Sequence, residues 1–186
     1  GDVKINGLDV VENPDAVRRL LGFLPEDPPL YPEMKVYAYL EFLGLLRGVP
    51  DRDIGRRIGT VAEKTGISDV LDDTIETLSL GYKKRVGIAQ TIVHDPKLVI
   101  VDEPISGLDP VQIVEIRELV RALRGEHTVL LSSHILTELS QTCDRFLVIE
   151  QGSIVARGTE EELLESASRH QVFDLEVRGT QEQLES

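Results

Sequence analysis

The stretch Lys97–Pro110, KLVIVDEPISGLDP, decides how the chain is read. Leu98, Val99, Ile100 and Val101 form an unbroken apolar run, as a strand covered on both faces does. Two carboxylates, Asp102 and Glu103, follow at once. Burying an unpartnered carboxylate is costly, so the strand must end where its acids meet a partner. In open parallel sheets, ligands gather outside the carboxyl ends of the strands. At that position Asp102 and Glu103 point into a cleft and not into a core. On this run alone, a plain Asp-Glu pair capping the next helix fits equally well.

Working outward, GDVKINGLDV alternates apolar and polar positions around Asn6-Gly7, as strand and tight turn do. Asn13-Pro14 predicts a short helix to about Leu20, and Gly22–Leu24 a brief strand. Pro28, Pro29 and Pro32 exclude regular structure from EDPPLYPEM. Val36 to Thr77 reads as helix, broken at Gly48-Val49-Pro50 and at Gly66. A further helix runs from about Leu80 to His94 and stops at Asp95-Pro96. Pro110 opens a helix to about Arg124, with Val111, Val114, Leu119 and Leu123 near one face. Thr128–Ser132 is a second buried strand, Ile135–Thr142 a helix, and Phe146–Glu150 a third strand. Gln151-Gly152 turns into a strand through Ala156, and Thr159 with Glu162 forms a capping box for a last helix. Alternation of strands and helices predicts an α/β fold with a parallel sheet flanked by helices. Val172–Val177 alternates like one more strand, with nothing after it to complete a domain.

The 186 residues suffice for a domain with a real core. A net charge of −13 argues against a nucleic-acid partner held by phosphate neutralisation. Cys143 is the single cysteine, so no internal disulfide can form. The apolar stretch Tyr37–Leu46 is about half of what a membrane-spanning helix needs.

The surrounding motifs separate the two readings of Asp102-Glu103. ETLSLGYKKRVGIAQ (Glu76–Gln90) lies upstream, PISGLDP follows Glu103, and LLSSHILTEL (Leu130–Leu139) follows the second strand. Together these resemble the nucleotide-binding domain of an ABC transporter. LSLGY resembles the signature motif, LVIVDE the Walker B strand, SGLDP the D-loop, and His134 the switch histidine. Their order and spacing also match, and the resemblance covers essentially Gly1 to Thr159. GFLPEDPPLYPEM and SLGYKKR resemble the branch that serves export systems.

The resemblance implies a P-loop NTPase-like sheet with an α-helical signature subdomain at about residues 31–95. It implies ATP and Mg²⁺ as cofactors, with Asp102 holding the metal that bridges the phosphates. Glu103 would orient or deprotonate the attacking water, and His134 would contact that water and the γ-phosphate. Ser79, Leu80, Gly81 and Tyr82 sit at a helix start, whose N–H groups favour an anion. In the family that phosphate belongs to ATP on the other subunit. Asp109 would cross the dimer interface and link the two sites. Lys83, Lys84 and Arg85 read as a solvated helix face. The implied partners are a transmembrane permease subunit and a second ATPase copy or paralogue, with no nucleic acid. The implied location is cytoplasmic, against the inner membrane face through the permease.

Three departures stand out. Leu80 and Tyr82 replace the Gly and Gln of the commonest signature, which removes backbone freedom but leaves the N–H donors. Glu26 stands where the family has the Q-loop glutamine, a metal ligand. Glu can also bind metal by oxygen, though it adds charge beside Asp102 and Glu103. Finally, no G-x-x-x-x-G-K-[ST] occurs, so no loop cradles the phosphates. The expectation is an N-terminally truncated ATPase domain over 1–170, with 171–186 beginning a C-terminal extension and the sheet left with an exposed edge. The rival expectation is a non-catalytic docking or regulatory relative that kept the fold.

Overall fold

The computed structural model describes residues 2–168. The expected strand at Val172–Val177 lies outside them. The chain divides into two units, Gly1–Thr142 and Cys143–Ser186.

The first unit opens with β1 (Lys4–Ile5) and β2 (Leu8–Asp9), an antiparallel pair. Asn6 and Gly7 both take positive φ in the turn between them, the twist a two-residue hairpin requires. Helix α1 (Pro14–Leu20) starts at its proline, but Asn13 makes no side-chain capping bond. Strand β3 (Leu21–Leu24) pairs in parallel with β4 (Leu98–Asp102), and β4 pairs in parallel with β5 (Thr128–Ser132). Between β3 and β4 come α2 (Val36–Leu46), α3 (Asp51–Thr65) and α4 (Leu80–Ile92). The breaks fall where the prolines and glycines demand, and Gly66 ends α3 in the left-handed conformation. Residues 66–77 are not α-helical; they carry two single 3₁₀ turns, Ser68–Val70 and Ile75–Thr77. After β4 come α5 (Pro110–Ala122) and α6 (Leu136–Thr142).

The core lies between α4, α5 and one sheet face, and continues among the helices of the insertion. Leu24, Val99 and Val101 are buried with Ile88, Ala89, Ile116 and Val120. Contact here is close: a Cβ on Gly22 would lie 2.2 Å from the carbonyl oxygen of Thr91. The expectation of strands covered on both faces fails for this sheet. Phe23 and Leu130, which flank Ile100 on the other face, are each 49% exposed. Among the described residues, nothing packs over that row closely enough to bury it. The apolar face of α5 also differs from the expected one. Ile116, Leu119, Val120 and Leu123 are buried, whereas Val111 and Val114 face solvent. In the first turn of α5 it is Ile113 that packs against the core, on the side of the helix away from Val111 and Val114.

In the second unit, β6 (Phe146–Glu150) is a strand of an antiparallel pair. It pairs antiparallel with β7 (Ser153–Gly158) around Gln151 and Gly152, both at positive φ. Short turns favour hairpins because parallel pairing needs a long crossover. Helix α7 (Glu160–Ser168) carries the expected capping box. Thr159 Oγ1 accepts from the Glu162 amide at 3.3 Å, and Glu162 Oε2 from the Thr159 amide at 2.9 Å.

Candidate functional site

The parallel sheet brings three strand ends to one edge, and the predicted acids stand there. Asp102 ends β4 beside Ser132 at the end of β5, and the Ser132 hydroxyl donates to Asp102 Oδ1. Glu103 follows at φ +44°, a left-handed conformation uncommon for a residue with a side chain. Its amide donates to the Ser132 carbonyl at 3.2 Å, which keeps the turn tight against β5. Backbone held this way costs on the order of 1–3 kcal/mol and is found where the surroundings over-determine it, often at functional sites.

The Glu103 carboxylate is bound on one side only. His134 Nδ1 lies 2.9 Å from Oε1, whereas Oε2 is buried with no hydrogen-bond partner among the described residues. An ionised carboxylate only accepts, so the proton of this contact sits on Nδ1 and Nε2 stays outward. The His134 side chain is 76% exposed. Glu26, two residues beyond β3, turns to the same edge, and its Oε1 accepts from Ser106 Oγ at 2.9 Å. Ser106 in turn donates its amide to the Glu103 carbonyl at 3.2 Å. Glu26, Asp102, Glu103 and His134 are thus joined through two serines.

Among the described residues, no three His, Cys, Asp or Glu side chains form a cage for a metal ion. Mg²⁺ keeps waters and takes one or two carboxylates plus phosphate oxygens. Asp102 and Glu26 carry hard carboxylate oxygens of the kind such a hydrated ion takes, and each already accepts from a serine hydroxyl through one of them.

The signature residues lie at the start of α4. Ser79 caps the helix, its Oγ accepting from the Tyr82 amide at 3.4 Å. Leu80 reaches back to the D-loop, where a Cβ on Gly107 would lie 3.3 Å from Leu80 Cδ2. Gly81 lies against Gln112 of α5, whose flexible side chain would have to move for a Cβ there, 2.8 Å from Nε2. Tyr82 turns away and donates its hydroxyl to Asp69 at 2.8 Å, which raises its pKa. Asp109 is the N-cap of α5, Oδ1 accepting from the Val111 and Gln112 amides at 3.0 and 2.9 Å. Signature and D-loop therefore share one surface.

The basic run departs most from its expectation. Lys84 is only 4% exposed and donates from Nζ to the Glu26 carbonyl at 2.6 Å. Burial holds its pKa below the usual lysine range, while Asp27, Glu26 and Glu103 pull it back up. Arg85 bonds the Thr65 carbonyl at 3.0 Å and pairs with Glu115 at 2.8 Å. The helix faces core on more than one side, which a charged tripeptide does not reveal.

A groove of about 360 Å³ opens between the loop after β3 and helices α2 and α4. Phe23, Pro29, Tyr31, Tyr39, Arg47 and His94 help to line it. Tyr31 meets Tyr39 edge-on at 5.7 Å and Phe42 at 6.2 Å between ring centroids. Tyr31, Phe42, Leu45 and Leu46 are exposed beside it.

A parallel sheet with acids at its carboxyl edge, and a helical insertion carrying an N-capped LSLGY, defines the fold of ATP-binding transporter subunits. A solved structure of cbiO1 from Clostridium perfringens, described as part of the ABC transporter complex cbiONQ, superposes with a TM-score of 0.79 at 26% identity. The match covers 89% of this chain and 68% of that one. A family model described as "ABC transporter" matches residues 1–106, and the chain belongs to that family. The uncharacterized ABC transporter ATP-binding protein YxlF of Bacillus subtilis is 36% identical over 161 residues, 87% of this chain and 54% of its own length. The linearmycin resistance ATP-binding protein LnrL of the same organism is 31% identical over 183 residues, covering 98% of this chain and 59% of LnrL. The chain thus spans little more than half the length of these relatives.

Proposed function

We propose that this chain is the larger part of an ATP-hydrolysing subunit that works as a dimer and drives a separate membrane permease. The observation that carries the reading is Glu103: strained, bound to His134 through one oxygen, and with the other buried and unpartnered. That oxygen would accept a proton from the attacking water. His134 orients the carboxylate through Nδ1, and as the imidazolium it would also present an Nε2–H donor to the γ-phosphate. Asp102 and Glu26 would hold Mg²⁺, which neutralises charge building on the phosphates when bound. The capped start of α4, Ser79 to Tyr82, offers backbone N–H groups to a phosphate carried by the partner subunit. Asp109, beside them on the D-loop, would carry the link between the two sites.

The groove beside Tyr31 and Phe42 is the surface we assign to the permease, since an apolar, aromatic-lined groove suits an inserted helix. Among the described residues no helix is long and apolar enough to cross a membrane, so attachment at the cytoplasmic membrane face would come from that contact. LnrL is named for resistance to linearmycin, which favours an export system.

The test is Glu103→Gln in the full-length subunit. ATP should still bind, and hydrolysis should fall by at least about 10²-fold. Near-normal turnover would remove Glu103 from the reaction. The rival, a non-catalytic docking module, rests on the absence of G-x-x-x-x-G-K-[ST] between Gly1 and Ser186. A full-length subunit that neither binds nor hydrolyses ATP would select it.

A further inference from the structure

The cleft acids are held from a direction that the reaction does not use. Lys84 lies on α4, one turn after the signature residues, yet its ammonium ends on the backbone of Glu26 at 2.6 Å. The same face of α4 continues with Gly87 and Thr91. A Cβ on Gly87 would come within 2.9 Å of Leu24 Cδ1 and 3.3 Å of Pro28 Cβ. Near the end of the helix, Gln90 accepts from Tyr39, whose hydroxyl also lies 3.4 Å from the Pro29 carbonyl. The loop from Leu24 to Pro29 is therefore seated along α4 by contacts at successive turns. Among them the Lys84 contact is the charged one. Beyond it, the Glu26 side chain bonds Ser106, and Ser106 bonds Glu103.

Burying an ammonium is costly, and an apolar side chain of similar volume often packs as well or better. Lys84 needs a reason beyond filling space. Its surroundings supply one, because a cation here sits against a carbonyl and within Coulombic reach of Asp27, Glu26 and Glu103. We propose that Lys84 is a positioning residue: it pins the Glu26 backbone to the signature helix and so fixes Glu26 relative to Glu103 before nucleotide and metal arrive. This rests on the reading of the Glu26–Glu103 edge as the nucleotide site. Any shift of the start of α4 then moves Glu26 with it, so contact with the opposing subunit's phosphate is transmitted to this subunit's own acids. Lys84 touches neither substrate nor metal in this role.

The experiment compares Lys84→Met, which keeps length and loses the ammonium, with Lys84→Arg, which keeps cation and donors, in the full-length subunit. Amide order parameters at Glu26 and Asp27, measured without nucleotide, should drop from about 0.85 to below about 0.6 in Lys84→Met. Those of β4 and α4 should not move. With Mg·ATP, kcat should fall roughly tenfold, the equivalent of one charge-assisted hydrogen bond. KM should stay within about twofold, and Lys84→Arg should restore both readouts. An unchanged order parameter at Glu26 overturns the proposal. So does a Lys84→Met protein that loosens throughout, since Lys84 would then be a general core contact. If the loop loosens while kcat is unchanged, the pinning stands and the assignment of Glu26 to the nucleotide site falls.

Discussion

Acid should weaken the fold through His94. This residue follows α4 at the edge of the aromatic groove, and its Nε2 lies 3.2 Å from the Leu21 carbonyl of β3. A carbonyl only accepts, so Nε2 carries the proton, and Nδ1 is left buried with no partner. Burial is the main reason its pKa falls from 6.5 to about 4; Arg47 and Arg57 depress it further, against the Leu21 bond and Asp95. The unfolded chain takes up this proton near its ordinary pKa and the folded chain does not, so stability falls with pH through the interval from 6.5 to about 4. At about pH 5 the loss is on the order of 2 kcal/mol, approaching about 3 below pH 4. In urea titrations that moves the midpoint by roughly 1 M between about pH 7.5 and pH 5. His94→Gln retains a donor for Leu21 and removes the titration, so its midpoint should shift less by that amount. Parallel pH slopes for the two proteins would refute the reasoning.

Three further outcomes follow from the geometry. Tyr31→Ser with Phe42→Ser should uncouple transport from hydrolysis while largely sparing basal ATPase; normal transport per ATP would place the permease elsewhere. These two are better targets than Leu30, which leans on the core. Gly22→Ala should cost about 1–3 kcal/mol, because its Cβ would meet the Thr91 carbonyl at 2.2 Å and a helix backbone cannot easily withdraw; an unchanged melting temperature would contradict this. The chain Gly1–Ser186 by itself should show no saturable heat with Mg·ATP in calorimetry, whereas micromolar binding would mean that the residues present suffice to hold a triphosphate.

Much of this arrangement was legible because local chemistry leaves few options. An apolar run that meets Asp102-Glu103 has to end at a sheet edge, and Asn6-Gly7, Gly66 and Thr159–Glu162 each have one good backbone solution. What stayed hidden depended on neighbours distant in sequence. Lys84 looked solvated because KKR is usually a surface, and only the fold brings Glu26 beneath it. Val111 and Val114 continue an apolar stripe, but periodicity alone does not say which side of α5 meets the core, and there it is Ile113. The pairing of β6 turned on Gln151-Gly152, a hairpin signal that its apolar content obscured. The open row of Phe23 and Leu130 looked buried for a similar reason, since composition cannot say how many layers cover a strand.

The parallel pairing of β3 with β4 also sets a timetable for synthesis. Leu21 and Leu98 are neighbours in space but about 77 residues apart in the chain, with the whole helical insertion between them. At roughly 5–20 residues per second on the ribosome, β3 waits on the order of 4–15 s for its partner strand. The insertion is rich in contacts between nearby helices, the kind that form quickly. It can therefore consolidate first and draw the two strands together as its ends close. During that wait, β3 is a nascent strand with Phe23 and Leu24 uncovered, and this is the interval in which a chaperone would be most useful.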